Sequence, residues 1–176
     1  MNYVFIEKGL VIDITYDEKY ILDINLSKSK NKIYNCNNIK KVNNKNLSRT
    51  IEWLTSYFKG DPEEEKPIIK TDYYNKFNLS IFEIVDKIPY GRVTTYGEIA
   101  QFYSLKHSKK MSAQAVGNSL KSNKFLILIP CHRIIHTNGD IYGYKVGTDI
   151  KEMLLKSEGI NIENGKISLK DYKVNL

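Results

Sequence analysis

The sequence predicts an α/β (α+β) fold, with a small antiparallel sheet and a helix first and a mainly helical domain second. Apolar residues alternate two apart near the N-terminus and recur at helical spacing in the second half. A segment rich in charge and proline, residues 60–67, separates the two patterns and is typical of a linker. We therefore expect a structural domain over 1–70 and a second, mainly helical domain over 71–176.

The N-terminal half begins with alternating β-branched and aromatic residues over 3–26, which predict antiparallel strands with turns at residues 8–9 and 17–19. The Asn- and Lys-rich stretch over 27–46 is typical of a loop or an exposed edge hairpin, and both interpretations stay open. A helix follows, with Asn46 or Ser48 as its predicted N-cap. Gly60 ends this helix.

The second half begins with helical spacing over 77–88, which Pro89 ends. A short β-branched segment over 93–95 precedes a helix over 96–103, for which Thr95 and Glu98 form a predicted capping box. A polar turn leads to another short helix, Ser112 to Leu120. The pair predicts a helix-turn-helix, which either enters a DNA groove or only packs.

Three further elements complete the C-terminal half. The apolar run over 125–129 predicts a buried strand. A last helix is expected over 148–157, ending at Gly159. The tail over 166–176 either adds a strand or packs.

The composition is that of a folded globular protein, because 41% of the residues are hydrophobic and 27% are charged. The net charge of +7 favours a polyanionic partner but is weak evidence alone. Two cysteines, Cys36 and Cys131, are too few for a disulfide framework or a Cys-rich zinc site, which favours a reducing compartment. We find no apolar segment long enough for a signal peptide or a membrane span, and expect a cytoplasmic protein with no membrane partner.

Cys131 is the strongest candidate for chemistry. It follows the predicted buried strand and Pro130, and it precedes His132 and Arg133. Positive neighbours lower the pKa of a thiol and yield the reactive thiolate. The local sequence therefore predicts a nucleophilic cysteine, with an inert buried thiol as the alternative.

Several segments of this half resemble the O6-alkylguanine-DNA alkyltransferases. The family hallmark is Pro-Cys-His-Arg followed by an aliphatic residue, which stands here at residues 130–134. The resemblance covers about residues 72–160 and includes, in family order, Ile88-Pro89-Tyr90-Gly91, Thr95 to Ala100, Ala115 to Asn118, Asn123, Tyr144, Leu154-Leu155 and Glu158-Gly159.

The resemblance implies direct DNA repair by a methylated-DNA–[protein]-cysteine S-methyltransferase. Cys131 would take the alkyl group from O6-alkylguanine in double-stranded DNA, once per molecule and irreversibly. O4-alkylthymine stays open as a second substrate. No cofactor is implied, and we expect a monomer.

The resemblance also assigns residue roles. His132 would take the thiol proton through a water, Glu158 would orient its imidazole, Asn123 would hold the network, and Tyr96 would donate to the guanine as it leaves. The implied substrate-binding residues are Leu120, Tyr144, Lys145, Val146 and Lys151. The implied DNA-binding residues are Thr95, Ala113, Gln114, Ala115, Gly117, Lys121 and Arg133.

The chain departs from the family pattern at Gln114, where relatives usually carry an arginine that fills the gap left by the flipped base. We expect weaker DNA affinity or slower flipping. Tyr142, Lys145 and Val146 replace residues that are often small, which leaves the range of alkyl groups open.

Two other classes of function are considered. A non-catalytic module that only recognises alkylated DNA is disfavoured, because related modules replace the cysteine that this chain retains. A cysteine hydrolase would need His107 or His136 as its base. Neither histidine has ligand spacing to another Cys or His, and we assign no metal.

Overall fold

The structure is a computed structural model that describes residues 1–29, 43–63 and 65–176. Most of the predicted loop or edge hairpin, with Cys36, lies outside these residues. The chain divides into two compact units, Met1–Lys70 with Lys124–Leu128, and Thr71–Asn123 with Ile129–Leu176. The first unit therefore includes a short segment that the sequence analysis placed in the C-terminal domain.

The first unit contains an antiparallel sheet of three strands in the order β1 (Asn2–Glu7), β2 (Leu10–Tyr16) and β3 (Ile21–Lys28). Lys8 and Gly9 connect β1 to β2, and both have positive φ values, 47° and 78°. Two such residues form the tight turn whose twist matches that of the strands. The sheet predicted from the alternating pattern is confirmed.

The helix of the first unit, α1, spans Lys45–Lys59. Its N-cap is Asn44, whose side chain accepts from the backbone amide three residues later at 2.8 Å, so the predicted Asn46 or Ser48 was wrong. The Asn46 side chain instead donates to the carbonyl of Ile68 at 2.8 Å and accepts from its amide at 3.0 Å. Both asparagines have the chemistry of a cap, and only the chain path distinguishes them.

The second unit begins with α2 (Lys76–Val85), β4 (Thr94–Thr95), α3 (Tyr96–His107) and α4 (Ala113–Lys121). The Thr95 hydroxyl accepts from the amide three residues into α3 at 3.2 Å, as the predicted cap requires. Helix α3 continues one turn beyond the predicted end, and α4 follows after a short turn. The helix-turn-helix is present.

The rest of this unit contains the turn that begins with Cys131. Cys131–Arg133 forms one turn of 3₁₀ helix directly before β5 (Ile134–Ile135), which pairs in parallel with β4. Helix α5 spans Thr148–Ser157, and a short helix, α6 (Leu169–Tyr172), lies in the tail. The tail forms isolated bridges, from Lys173 to Val93 and from Lys166 to Asp140 and Glu163, rather than an added strand.

The apolar run over 125–129 is buried as predicted, but it is not a regular strand. Ile127 has a φ of 73°, which β-branched residues rarely adopt, and the chain turns there. Phe125 forms an isolated parallel bridge with Ile24. Composition detects the burial of such a run and cannot detect a turn inside it.

No helix in the described part of the chain combines the length and the hydropathy needed to cross a bilayer.

Substitution by alanine at two glycines of the second unit should lower the free energy of unfolding by different amounts. A Cβ on Gly139, at φ 86°, would lie 2.6 Å from the Ile167 carbonyl oxygen, whereas a Cβ on Gly159, at φ 78°, would meet nothing within 4 Å. We expect Gly159→Ala to lower the free energy of unfolding by about 1 kcal/mol through backbone strain alone. Gly139→Ala adds the overlap and should cost about 2–4 kcal/mol. Urea unfolding measures both, and equal losses would contradict the prediction.

Candidate active site

Cys131 lies at the start of the 3₁₀ turn and is only 5% exposed. Its sulfur accepts from the side-chain amide of Asn123 at 3.1 Å. The same amide donates to the carbonyl of Ile129 at 3.1 Å. Asn123 is fully buried, so one side chain holds both the sulfur and the segment that leads to it.

The Cys131 sulfur is a thiol in the resting protein. Burial raises its pKa, although donors from Asn123 and Tyr144 and the charge of Lys151 act in the opposite direction. This corrects the sequence-based expectation of a lowered pKa. Because the resting thiol keeps its proton, a base must remove that proton when the sulfur reacts.

His132 is placed to be that base. Its Nε2 atom lies 2.7 Å from Oε1 of Glu158, and both side chains are fully buried. Burial lowers the pKa of His132, which favours the neutral imidazole. A neutral ring beside an ionised carboxylate donates from Nε2, and this assigns the basic lone pair to Nδ1.

Glu158 follows α5 and receives several donors. Arg133 Nε lies 3.1 Å and 2.9 Å from its two oxygens, and the Gly91 amide donates to Oε2 at 3.0 Å. Burial alone would raise the pKa of this carboxyl, but its interactions with His132 and Arg133 outweigh burial and lower it to about 2. Glu158 is therefore ionised and fixed.

Arg133 and Thr95, two of the predicted DNA contacts, are both buried. Arg133 is 7% exposed, and its Nη1 atom donates to the Ile88 carbonyl at 2.7 Å while the rest of the guanidinium binds Glu158. Thr95 is buried and caps α3. Both side chains bind internal partners, and their contact with DNA stays a prediction.

Lys151 is a buried cation of the cysteine environment. It is 0% exposed, and its Nζ donates to the carbonyl of Ile134 at 2.5 Å. Burial lowers its pKa to about 8, and the negative charge of a Cys131 thiolate opposes that shift. The two groups are thus coupled, and a Lys151 ammonium favours the thiolate once it forms.

A cavity of about 330 Å³ lies between α3, α4 and the loop after β5. Tyr96 belongs to its wall, and burial, with a smaller effect of Cys131, raises the pKa of the phenol to about 12. The phenol therefore keeps its proton and can donate a hydrogen bond. The cavity is lined by Tyr96, Ala113, Gln114, Gly117, Asn118, Lys121, His136 and Gly143.

Comparison with known proteins assigns the chain to a family. A family model described as "6-O-methylguanine DNA methyltransferase, DNA binding domain" matches residues 76–160. A protein named methylated-DNA–protein-cysteine methyltransferase from Sulfolobus acidocaldarius is 37% identical over 122 residues, which cover 69% of this chain and 74% of that one. One of the same name from Saccharolobus islandicus is 43% identical over 109 residues, which cover 62% and 67%.

The chain belongs to the O6-methylguanine-DNA methyltransferase family.

The overall fold agrees with this membership. The crystal structure of Mycobacterium tuberculosis OGT in complex with DNA matches with a TM-score of 0.68 at 21% identity, covering 88% of this chain and 90% of that one. At this identity the likeness concerns the fold alone. The resemblance found in the sequence and the predicted fold class are both confirmed.

The remaining predicted site residues of this family member range from buried to exposed. Lys145 donates from Nζ to the Asn123 carbonyl at 2.9 Å, which ties its loop to the cysteine segment. The Tyr144 hydroxyl lies against the Cys131 sulfur and favours its charged form. Leu120 is buried, and Ala115 and Val146 are half-buried. Gln114 and Lys121 are exposed on α4.

The sequence analysis missed three residues of the cavity wall, Asn118, His136 and Gly143. Asn118 lies one helical turn after Gln114 on α4, and this spacing was a usable signal. His136 was considered only as a metal ligand or a hydrolase base, but its ring contacts the ring of Tyr96, with centroids 5.5 Å apart. The two rings are 40 residues apart in the chain, so no local pattern predicts the contact.

The pKa of Glu158 predicts a pH-dependent part of stability. The pKa of this carboxyl is ordinarily 4.5 and falls to about 2 in the folded protein, so the unfolded chain binds the proton more readily. This stability is present above about pH 4.5 and is lost as the pH falls to about 2. Glu158→Gln should remove the pH dependence and also cost about 3–5 kcal/mol at pH 7, because Arg133 loses its counter-ion.

Urea unfolding across this pH range tests the prediction, with Glu152→Gln as the control. Glu152 lies on the same helix and pairs with Lys156 at 2.7 Å on the surface. Its loss should change the free energy of unfolding by at most about 1 kcal/mol. A parent and a Glu158→Gln variant with parallel pH profiles would be inconsistent with the assigned pKa.

Proposed function

We propose that this protein repairs DNA by transferring the alkyl group of O6-alkylguanine to its own Cys131, irreversibly and once per molecule. The observation that carries the proposal is a buried thiol beside a buried His132–Glu158 pair, in a chain that belongs to this family. The names of the relatives, methylated-DNA–protein-cysteine methyltransferase, support the same activity.

The first step is proton transfer. The thiol of Cys131 loses its proton to Nδ1 of His132, through a bridging water as the sequence analysis expects. Glu158 keeps the ring in the required tautomer and stabilises the imidazolium that forms. The Lys151 ammonium stabilises the new thiolate, so the proton leaves a sulfur whose resting pKa burial has raised.

The second step is a single displacement. The sulfur attacks the alkyl carbon, an S–C bond forms, and the bond from carbon to guanine O6 breaks with its electron pair on the guanine. Tyr96 donates to the guanine as this charge develops. Over the whole reaction the thiol proton passes to guanine, and a thioether stays on the protein. Water does not cleave a thioether, and this makes the reaction irreversible.

The DNA partner is a duplex from which the damaged nucleotide is flipped. A paired guanine keeps its O6 inside the base pair, so a buried sulfur reaches it only after extrusion, at a cost of a few kcal/mol. We place the extruded base toward the cavity of Tyr96 and Gly117, with α4 against the duplex. Ala113, Ala115 and Gly117 allow close approach, and Lys121 offers a cation for a phosphate.

The two units have different roles in this proposal. Every residue of the proton path, the displacement and the cavity wall belongs to the second unit. The first unit includes the segment Lys124–Leu128, which precedes the cysteine turn in the chain. Phe125 of this segment forms a parallel bridge with β3. We propose a structural role for the first unit, and a monomer as the active species.

The transfer predicts a specific change of mass. Incubation with duplex DNA containing O6-methylguanine should replace the thiol proton of Cys131 with one methyl group, at one equivalent per protein molecule. Mass spectrometry of the intact protein and of the Cys131 peptide measures it, and Cys131→Ser should show no gain. Binding without a mass change would favour a recognition module. Repeated turnover would also contradict the proposal.

The presence of Gln114 predicts that a substitution at this position can raise the affinity of the protein for duplex DNA. Gln114→Arg should raise affinity for the duplex by about tenfold, because arginine adds a charge and a planar group for the gap beside the flipped base. Gln101→Arg is a matched control, because Gln101 is exposed on α3 and its substitution adds the same charge away from α4. Fluorescence anisotropy measures both variants at one salt concentration. Equal increases would assign the effect to net charge.

A further inference from the structure

The ring of Tyr96 contacts two other residues of the cavity wall. Gly117 of α4 leaves the ring close to the helix, because a Cβ there would lie 3.8 Å from Cε1 of Tyr96. The imidazole of His136 also contacts the ring, with centroids 5.5 Å apart and planes inclined by 49°. The wall of the cavity thus includes a glycine and an imidazole that both lie against the phenol.

The backbone of His136 is fixed by a turn. Its amide donates to the carbonyl of Asp140 at 3.0 Å, and its carbonyl accepts from the amide of Gly139 at 2.9 Å. The side chain itself is exposed, and its Nε2 atom lies 3.8 Å from the position of a Cβ on Gly143. An exposed imidazole on a rigid turn adds little to a core, so its contact with Tyr96 is the feature to explain.

We propose that His136 is a positioning residue for alkyl transfer and that it acts by holding the ring of Tyr96 in the cavity wall. This inference rests on the proposed function, because it requires Tyr96 to be the donor to the leaving guanine. Tyr96 is the first residue of α3, so no preceding helical turn packs on its side chain. The tilted contact with His136 is therefore a tertiary restraint on the ring.

Restriction of this ring has a kinetic consequence. The hydroxyl must meet charge that develops on the guanine only in the transition state, and a preorganised donor does so without reorganising. A ring that turns freely spends part of its time away from that geometry, and small misplacements of a catalytic group are costly in rate. His136 should therefore affect the rate of transfer and leave the binding of DNA unchanged.

The experiment compares two substitutions at one position. At saturating duplex DNA with O6-methylguanine, His136→Ala should lower the single-turnover rate constant by about tenfold. His136→Phe keeps a ring against Tyr96 and should restore most of the rate. The Kd for DNA should be the same in both variants and in the parent. A parental rate in His136→Ala, or a loss that His136→Phe does not restore, would overturn the inference.

A matched control is available on α3, the helix that contains Tyr96. His107 is also an exposed histidine on a tyrosine, stacked on Tyr103 with ring centroids 4.3 Å apart, and it is not part of the cavity wall. His107→Ala should leave the rate constant unchanged. A change of Kd with a constant rate in His136→Ala would assign His136 to DNA contact and also overturn the inference.

Two measurements separate this inference from the proposed function. With Tyr96→Phe as the background, His136→Ala should cause little further loss, because both substitutions remove the same contribution. Fully additive losses would show that His136 does not act through Tyr96. In the free protein labelled with fluorotyrosine, the Tyr96 ¹⁹F resonance should shift in His136→Ala and not in His107→Ala. If the parent gains no methyl group, the proposed function fails, whereas an unmoved resonance refutes the contact alone.

Discussion

The buried carboxylate of Glu158 is the interaction on which the site depends. It binds the imidazole of His132, the guanidinium of Arg133 and the amide of Gly91, and so joins the end of α5, the cysteine turn and the turn before β4. An unpaired carboxylate at this depth would be protonated, and the interactions of Glu158 with His132 and Arg133 prevent this. The orientation and basicity of His132 therefore depend on Glu158. The ionised state of Glu158 depends in part on Arg133, which lies two residues after Cys131.

The resting state of the sulfur follows from the same packing. A thiol whose pKa burial has raised is a poor nucleophile, and it is also a poor target for oxidants and stray electrophiles. For a sulfur that reacts once, such protection is useful. In the proposed mechanism the buried His132 and Lys151 make the thiolate accessible when the proton is transferred, so reactivity depends on the arrangement of the whole site.

Local patterns predicted much of the fold because they report short-range physics. The alternation over 3–26 identified the sheet, and Thr95 identified the start of α3, since strand pairing and helix capping involve residues close in sequence. The same reasoning was wrong where two residues have equal local chemistry, as at the N-cap of α1, and where a turn interrupts an apolar run, as at Ile127.

The sequence by itself determined the family and the candidates for nucleophile and base, because Pro130-Cys131-His132-Arg133 places both candidates side by side in the chain. Only the tertiary structure decided what the neighbouring charges do. Arg133 turns inward to Glu158, and Lys151 is buried near the sulfur instead of lying on a solvated helix face. Burial and partners set the pKa and the role of an ionisable group, and both depend on residues that are distant in sequence.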